Sequence, residues 1–303
     1  MSAEVAQPVQ PIPESHSAPA RVGLRPGVGD WIFSGTGQIL LVLWAFMVIF
    51  PFLWMIMTSF KTDPEILFSP WQLPASLQWD NFVRAWTEAR IGRYAFNSVI
   101  VIAGSLTGTL LISAMAAYVL ARFEFPGNRF IYYMFLAGMV FPVFLALVPL
   151  FFLVRDLHMT GTYQGLILVY IAYSLPFTIF FLTGFFKTLP GEVAEAAIMD
   201  GASQYRVFFN IMLPMAKPGL VAMGIFNFLG QWNQFLLPLV LMTDESRYML
   251  SQGLAFLAIQ QGYQNDYSAL FAAMTITMIP TLVVYILFQR RLEAGLTAGA
   301  LKG

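Results

Sequence analysis

The chain has 303 residues, 58% of them hydrophobic and only 11% charged, against about 25% charged in a soluble globular domain, so lipid is the solvent that suits most of it. The formal net charge is zero, which leaves no basic field for nucleic acid. There is no cysteine and the only histidines are His16 and His158, which excludes disulfides and thiolate or histidine-rich metal sites.

In chain order, residues 1–28 carry Pro8, Pro11, Pro13, Pro19 and Pro26 and no apolar run. They read as a disordered tail, extended to residue 36 where the first apolar stretch begins. That stretch is too long for a signal-peptide core and no small-residue cleavage site follows it, so a permanent span is expected over 37–60. Five more segments have the roughly 20 apolar residues a bilayer crossing needs: 95–121, 130–154, 163–186, 217–242 and 268–288. None has Asp, Glu, Lys or Arg in its interior, as expected when a charge at the bilayer centre costs about 2.5 kcal/mol or more. Pro51, Pro142, Pro149, Pro176 and Pro280 fall inside spans and are expected to kink them. The fold class is therefore all-α, with six transmembrane helices.

An even number of spans puts both termini on one side. That side collects Arg21, Arg25, Arg122, Arg129, Lys187, Arg206, Lys217, Arg290, Arg291 and Lys302, ten of the sixteen basic residues. The positive-inside rule then predicts cytoplasmic N- and C-termini in a multi-pass protein of the cell's inner membrane. On the opposite side, residues 61–94 form a long loop with Trp71, Trp79 and Trp86, and residues 243–267 form a second loop with Asp244, Glu245, Arg247 and Asp266. Both loops read either as contacts for an external partner or as aromatic anchoring at the lipid interface.

The cytoplasmic loop 187–218, KTLPGEVAEAAIMDGASQYRVFFNIMLPMAKP, has the strongest local signals. Pro190 suits a helix start, and Glu192 and Glu195 suit its positive end. Ala194, Ala196 and Ala197 give a smooth helix of high propensity. Gly201 permits the positive φ that ends it. Ser203 caps a second short helix, with Val207, Phe208, Ile211 and Met212 at helical period facing membrane or bundle, and Pro214 stopping it. Two readings stay open on these residues alone: a smooth helix for insertion into a cleft of another protein, or a connecting loop that caps the bundle.

Glu195-Ala196-Ala197, three residues, Gly201, nine residues, then Ile211-x-Leu213-Pro214 resembles the EAA motif of binding-protein-dependent ABC importer permeases. The C-terminal Gly295-Leu296-Thr297-Ala298-Gly299-Ala300-Leu301-Lys302-Gly303 is similar to the tail of one of the two permease subunits in the maltose-type carbohydrate-uptake class. Asn97-Ser98 and Trp232-Asn233 also look like that class. The resemblance covers about 37–303 and departs at the Pro-rich N-terminal extension. It implies a type I importer permease domain over 93–289, after the first helix and the external loop 61–94, and a cytoplasmic tail over 290–303. It implies a heterodimer with a second permease subunit, a cytoplasmic ATPase dimer that the EAA loop and tail contact, and an external sugar-binding protein. ATP and magnesium would be bound by that ATPase.

The chain itself has no GxxxxGK[ST] phosphate loop, so no catalytic residue, cofactor or metal site is expected in it. The implied function is import of a sugar, a di- or oligosaccharide, by alternating access. Gly230-Gln231-Trp232-Asn233-Gln234 in the fifth span places amides and an indole where a sugar would pass. Asn97, Trp232, Asn233 and Gln234 are the candidate pathway residues, with hydrogen-bonded glue between helices as the alternative. An ion-coupled transporter working alone is disfavoured because no ionisable group lies within a span. A non-transporting scaffold is the other alternative.

Overall fold

The computed structural model of the chain describes the backbone of residues 28–264 and 266–300, and the side chains of residues 36–260 and 266–289. Fourteen α-helices are present among them: α1 Val28–Thr58, α2 Asp63–Phe68, α3 Asp80–Thr87, α4 Ile91–Arg122, α5 Asn128–Val140, α6 Val143–Asp156, α7 Tyr163–Thr188, α8 Glu192–Met199, α9 Gln204–Val207, α10 Leu213–Met215, α11 Lys217–Trp232, α12 Leu236–Leu241, α13 Leu250–Gln264 and α14 Tyr267–Ala300. Residues up to Phe52 and residues from Leu53 onward are two separate compact units.

The first unit contains most of α1, whose stretch Thr36–Thr58 is apolar enough to cross a bilayer. Helix begins at Val28, within the region expected to be disordered. Once a long apolar helix exists, each added residue gains a hydrogen bond without a new nucleation cost, so Trp31, Ile32 and Phe33 extend it backward. The remaining residues of the expected tail, 1–27, lie outside the described ones.

In the second unit, Ile91–Arg122, Tyr163–Thr188 and Tyr267–Gln289 also qualify as spans. Two further apolar stretches are bent pairs, α5 with α6 at 102° and Gln204–Met215 with α11 at 70°, so the described residues hold four unbroken spans and up to six when each pair counts as one, the second pair beginning before the expected 217–242. The third span is thus a sharp break rather than a kink. Pro142 has no N–H and biases Phe141 toward an extended backbone, and Phe141 adopts φ −73°, ψ 119°. The fifth span also differs from expectation, because helix stops at Trp232 and resumes at Leu236. Pro238 leaves the Gln234 carbonyl without its helical donor, and the Ser251 hydroxyl donates to it instead at 2.6 Å.

The centre of the bundle is the α4–α7 pair. Small α4 residues let the backbones approach: a Cβ on Gly108 would lie 2.5 Å from Ile171 Cδ1, and one on Gly104 2.9 Å from Ile167 Cδ1. Three apolar clusters surround this pair. One, at the α3 end, joins Ile91 and Tyr94 with Trp232, Leu250 and Leu270. A second, at the α8 end, joins Tyr118 and Phe186 with Val207, Phe208 and Met212. The third packs Val154 of α6 and Tyr170 of α7 against Leu237 and Leu241 of α12.

The expected loop 243–267 contains α13. The residues between its charged ends, 248–264, are uncharged and carry Leu250, Leu254 and Leu257 at helical spacing. The expected loop 61–94 contains α2 and α3. Arg84 of α3 donates to Asp80 at 2.7 Å, Asn81 at 3.1 Å, Asp266 at 3.2 Å and Ser268 at 3.0 Å, joining this loop to the start of α14. Burial would raise the Asp266 pKa, but the Ala269 N–H and the Arg84 guanidinium outweigh it and hold the carboxyl below the usual range.

Gly165, in the first turn of α7, tests the packing directly. A Cβ there would meet the Met159 backbone oxygen at 2.3 Å, whereas one on Gly184 of the same helix meets nothing within 4 Å. Gly165→Ala is expected to lower stability by roughly 1–3 kcal/mol through overpacking against backbone. Gly184→Ala is expected to change it by no more than about 1 kcal/mol, toward greater stability, through helix propensity. Thermal unfolding of the two variants in detergent compares them.

Candidate functional site

At the α8 end the loop folds as its sequence suggests, with one difference. Glu192 and Glu195 lie in the first turn of α8. Gly201 has φ +83°, its N–H donates to Ile198 O and the Ala202 N–H donates to Ala197 O, both at 2.9 Å. This paired closure is the Schellman arrangement, which requires a left-handed residue at the glycine. The Ser203 hydroxyl then caps α9 by accepting from the Arg206 N–H. Pro214 does not end the second helix as expected. Residues Phe208–Met212 widen into a π-helical turn, in which the Leu213 N–H reaches Phe208 O, and helix continues through Pro214 to Met215. The chain turns only at Ala216, ahead of Pro218 in α11.

The two sides of this loop differ in chemistry. Val207, Phe208 and Met212 face the bundle, and the Phe208 ring lies 5.2 Å from Tyr118. Ala194, Ala197, Ile211 and Leu213 pack partly against the same cluster. On the other side Glu192, Glu195, Ala196 and Gly201 are exposed, together with Met199 at 87% and Tyr205 at 81%. Neither the Glu192 nor the Glu195 carboxylate has a hydrogen bond or ion pair among the described residues. Arg122 at the end of α4 donates to Leu189 O, which fixes the approach to α8. The loop is thus a patch of small residues, unpaired carboxylates and protruding apolar tips on a rigid base.

A second feature lies where two helices break. A cavity of about 830 Å³ is lined by Phe141, Pro142 and Phe144 at the α5–α6 break, by Tyr170, Tyr173, Ser174 and Phe177 of α7, and by Asn227, Gln231 and Gln234 beside the α11–α12 break. Non-helical backbone at membrane depth is tolerated where it lines such a cavity. No charged residue lines it. Its polar floor is ordered: Ser105 donates to Gln231 Oε1 at 2.6 Å, Gln231 Nε2 donates to Ser174 at 3.1 Å, and Asn227 Nδ2 donates to Thr178 at 3.0 Å and to Met223 O at 3.0 Å. Asn227 Oδ1, the second Gln231 N–H and the Gln234 amide N–H groups have no partner among the described residues.

Of the expected pathway residues, only Gln234 lines this cavity. Asn97 is buried as a strut instead, donating to Ser246 O and Tyr248 O at 3.2 and 3.0 Å and accepting from the Tyr163 hydroxyl at 2.8 Å. The Trp232 indole donates to Thr277 O at 3.2 Å and stacks on Phe228. Asn233 turns back on its own helix, donating to Leu229 O at 2.8 Å. Ser174, Tyr173 and Asn227 had no individual signal in the sequence, since an isolated polar residue in an apolar run does not show which neighbours it meets. In the tail, Gly295, Leu296, Thr297, Ala298 and Gly299 lie in α14, which is helical to Ala300. Helix already formed propagates through two glycines when leucine and alanine stand between them. Lys302 lies outside the described residues.

Comparison with known proteins follows the same lines. Residues 108–298 match the family described as binding-protein-dependent transport system inner membrane component. The chain is 53% identical over 273 residues, 90% of each chain, to the diacetylchitobiose uptake system permease protein NgcG of Streptomyces coelicolor. It is 34% identical over 266 residues, 86% of this chain and 94% of the other, to the trehalose/maltose transport system permease protein MalG of Thermococcus litoralis. Its fold is that of a chain from a bacterial ABC transporter that imports the acidic polysaccharide alginate, with a TM-score of 0.77, 20% identity, and 87% and 98% of the two chains covered. The α8–Gly201 loop, the broken spans and these likenesses converge: this chain belongs to the family of inner membrane components of binding-protein-dependent transport systems, and is a multi-pass ABC importer permease subunit rather than an enzyme.

Proposed function

We propose that this permease subunit takes an uncharged di- or oligosaccharide across the cytoplasmic membrane by alternating access, driven by a separate ATPase that binds the ATP and magnesium. The observation that carries the reading is the exposed loop Glu192–Tyr205. It presents unpaired carboxylates and apolar tips on the polar side of the bundle, which is the composition of a protein contact and not of a lipid one. Arg122, Arg129, Lys187, Arg206 and Lys217 cluster at the same end, which supports a cytoplasmic placement for it and for both termini. Glu195 makes a polar contact with the ATPase, Gly201 sets the bend, and the tail from Gly295 to Lys302 supplies a second contact. A second permease subunit completes the pathway and an external binding protein delivers the solute.

The broken-helix cavity supports the substrate class. Amide groups with unfilled hydrogen-bonding capacity suit hydroxyl or acetamido groups, and the Tyr173, Phe177 and Phe226 rings suit the C–H face of a sugar. A lining without charge favours neutral sugars over anionic ones. An N-acetylated disaccharide is the first substrate to test, because the Streptomyces relative is named for diacetylchitobiose uptake.

The test is sugar-stimulated ATP hydrolysis and uptake by the assembled complex in proteoliposomes. Gly201→Val forces a β-branched residue toward positive φ at a cost of about 1–2 kcal/mol. It and Glu195→Gln are expected to lower transport per ATP hydrolysed while leaving membrane insertion intact. Normal coupling in both would refute the loop assignment. Gln234→Leu and Asn227→Leu are expected to raise the KM for sugar uptake with basal ATP hydrolysis unchanged. Asn97→Ala removes buried partners worth roughly 1–3 kcal/mol and should lower thermal stability without changing which sugars stimulate hydrolysis.

A further inference from the structure

The loop that follows α1 does not simply leave the membrane. After Thr58 the chain forms α2 and then returns, so that Trp71 lies 5.8 Å from Trp54, about one helical turn inside the end of α1. Trp54 also meets Phe271, one turn inside the start of α14, at 5.5 Å with the rings edge to face. Trp71 therefore packs against a ring, Trp54, that lies roughly 6 Å inside the end of one span and touches a residue as far inside the start of another, at 1.5 Å per residue. The side chains displayed there are apolar and protruding: Phe68 is 86% exposed, Trp71 71% and Leu73 81%. Residues 66–79 carry no charged side chain.

Two of the charged residues that precede this run, Lys61 and Glu65, are turned inward onto its backbone. Lys61 is fully buried, although a lysine at a span end ordinarily extends toward water. Its Nζ donates to Ser69 O at 3.1 Å and to Pro70 O at 2.9 Å, and the Trp54 indole donates to Pro70 O at 3.1 Å. The Glu65 carboxylate accepts the Thr62 N–H at 2.8 Å and the Ala75 N–H at 3.0 Å, and the two backbone hydrogen bonds hold its pKa below the usual range. Asn81 ties the same turn by donating to Ser59 O and Lys61 O, each at 2.9 Å. Ser69 O and Pro70 O are thereby satisfied within the protein, as carbonyls seated among acyl chains must be because water is absent there.

We propose that Phe68–Leu73 is a membrane-inserted wedge, seated among the headgroups and upper acyl chains of the leaflet where α1 ends, and that Lys61 clamps it in the inserted shape. Its partner is the lipid surface, not a protein, and the proposal is independent of which solute the permease carries. The wedge holds α2 and α3 at a set depth, and through Arg84 and Asp266 that depth is passed to the start of α14.

This chain has no native cysteine, so a single label can be placed in it and the complex assembled with unlabelled partner subunits. Nitroxide labels are placed at Phe68→Cys, Leu73→Cys and, as a water-exposed control, Glu88→Cys, in the assembled complex in a bilayer. Power-saturation EPR is expected to show the first two several-fold more accessible to oxygen, relative to a water-soluble nickel chelate, than the control. Nickel accessibility equal to the control would place the segment in water and overturn the proposal. Exclusion of both reagents would mean a protein covers it and would overturn it equally. Independently, brominated acyl chains should quench less tryptophan fluorescence in Trp71→Phe than in the parent complex, and unchanged quenching counts against insertion. With the complex still assembled, Lys61→Met is expected to lower the oxygen preference at Leu73→Cys, and an unchanged preference removes the clamp from the proposal.

Discussion

Every backbone N–H and C=O at membrane depth needs a partner within the protein, because lipid offers none. In α4, a span without proline, the helix meets this demand on its own. Where proline removes a donor, something else must fill the gap. The Ser251 hydroxyl fills it for Gln234, and Asn233 folds onto Leu229 where helix α11 ends. The same demand explains the buried Lys61 and the inward-turned Glu65 in the loop after α1. The positions of breaks, struts and clamps in this chain follow from one electrostatic requirement.

That requirement also separates rigid polar groups from available ones. Asn97 and Trp232 have filled their hydrogen-bonding capacity by joining elements. The loop 246–250 is held to α4 by Asn97 and by Ser98, which accepts the Leu250 N–H at 2.8 Å. Asn227 and Gln231 are held on one side by Thr178 and Ser174 and retain capacity on the cavity side. A fixed amide with an unfilled position is pre-organised, so a solute group meeting it costs little ordering. The breaks that open the cavity and the network that lines it therefore belong to one arrangement.

The α8 end has the opposite organisation. There the bundle packs densely around Phe186, Phe208 and Met212 and leaves the outer side of α8 bare. The π-helical turn at Phe208–Met212 keeps helix going past Pro214, so α9 and α10 form one short rod joined to α8 through Gly201. After the turn at Ala216 the rod leads into α11, whose other end forms part of the wall of the cavity.

How much of this was legible in the sequence depends on the range of the interaction concerned. The charge-free runs, the Glu195–Gly201 helix stop and the Ser203 cap are decided within a few residues, and they were readable, as was the family resemblance carried by the spacing from Glu195 to Pro214. Hydropathy misjudged α13 and the broken spans, because it averages over a window and is blind to a missing N–H or to a polar partner arriving from elsewhere. It equally could not tell that Asn97 is a strut while Asn227 faces a cavity, since both are single amides in apolar runs. By itself the sequence determined a membrane-spanning, all-helical chain with a capped helix stop at Gly201, because partition into lipid and helix capping are local, and the permease family entered through the resemblance of the Glu195–Pro214 spacing. Only the tertiary structure decided which polar groups are used up in holding helices together and which remain open, because hydrogen-bond capacity is divided among residues that meet only when the chain is folded.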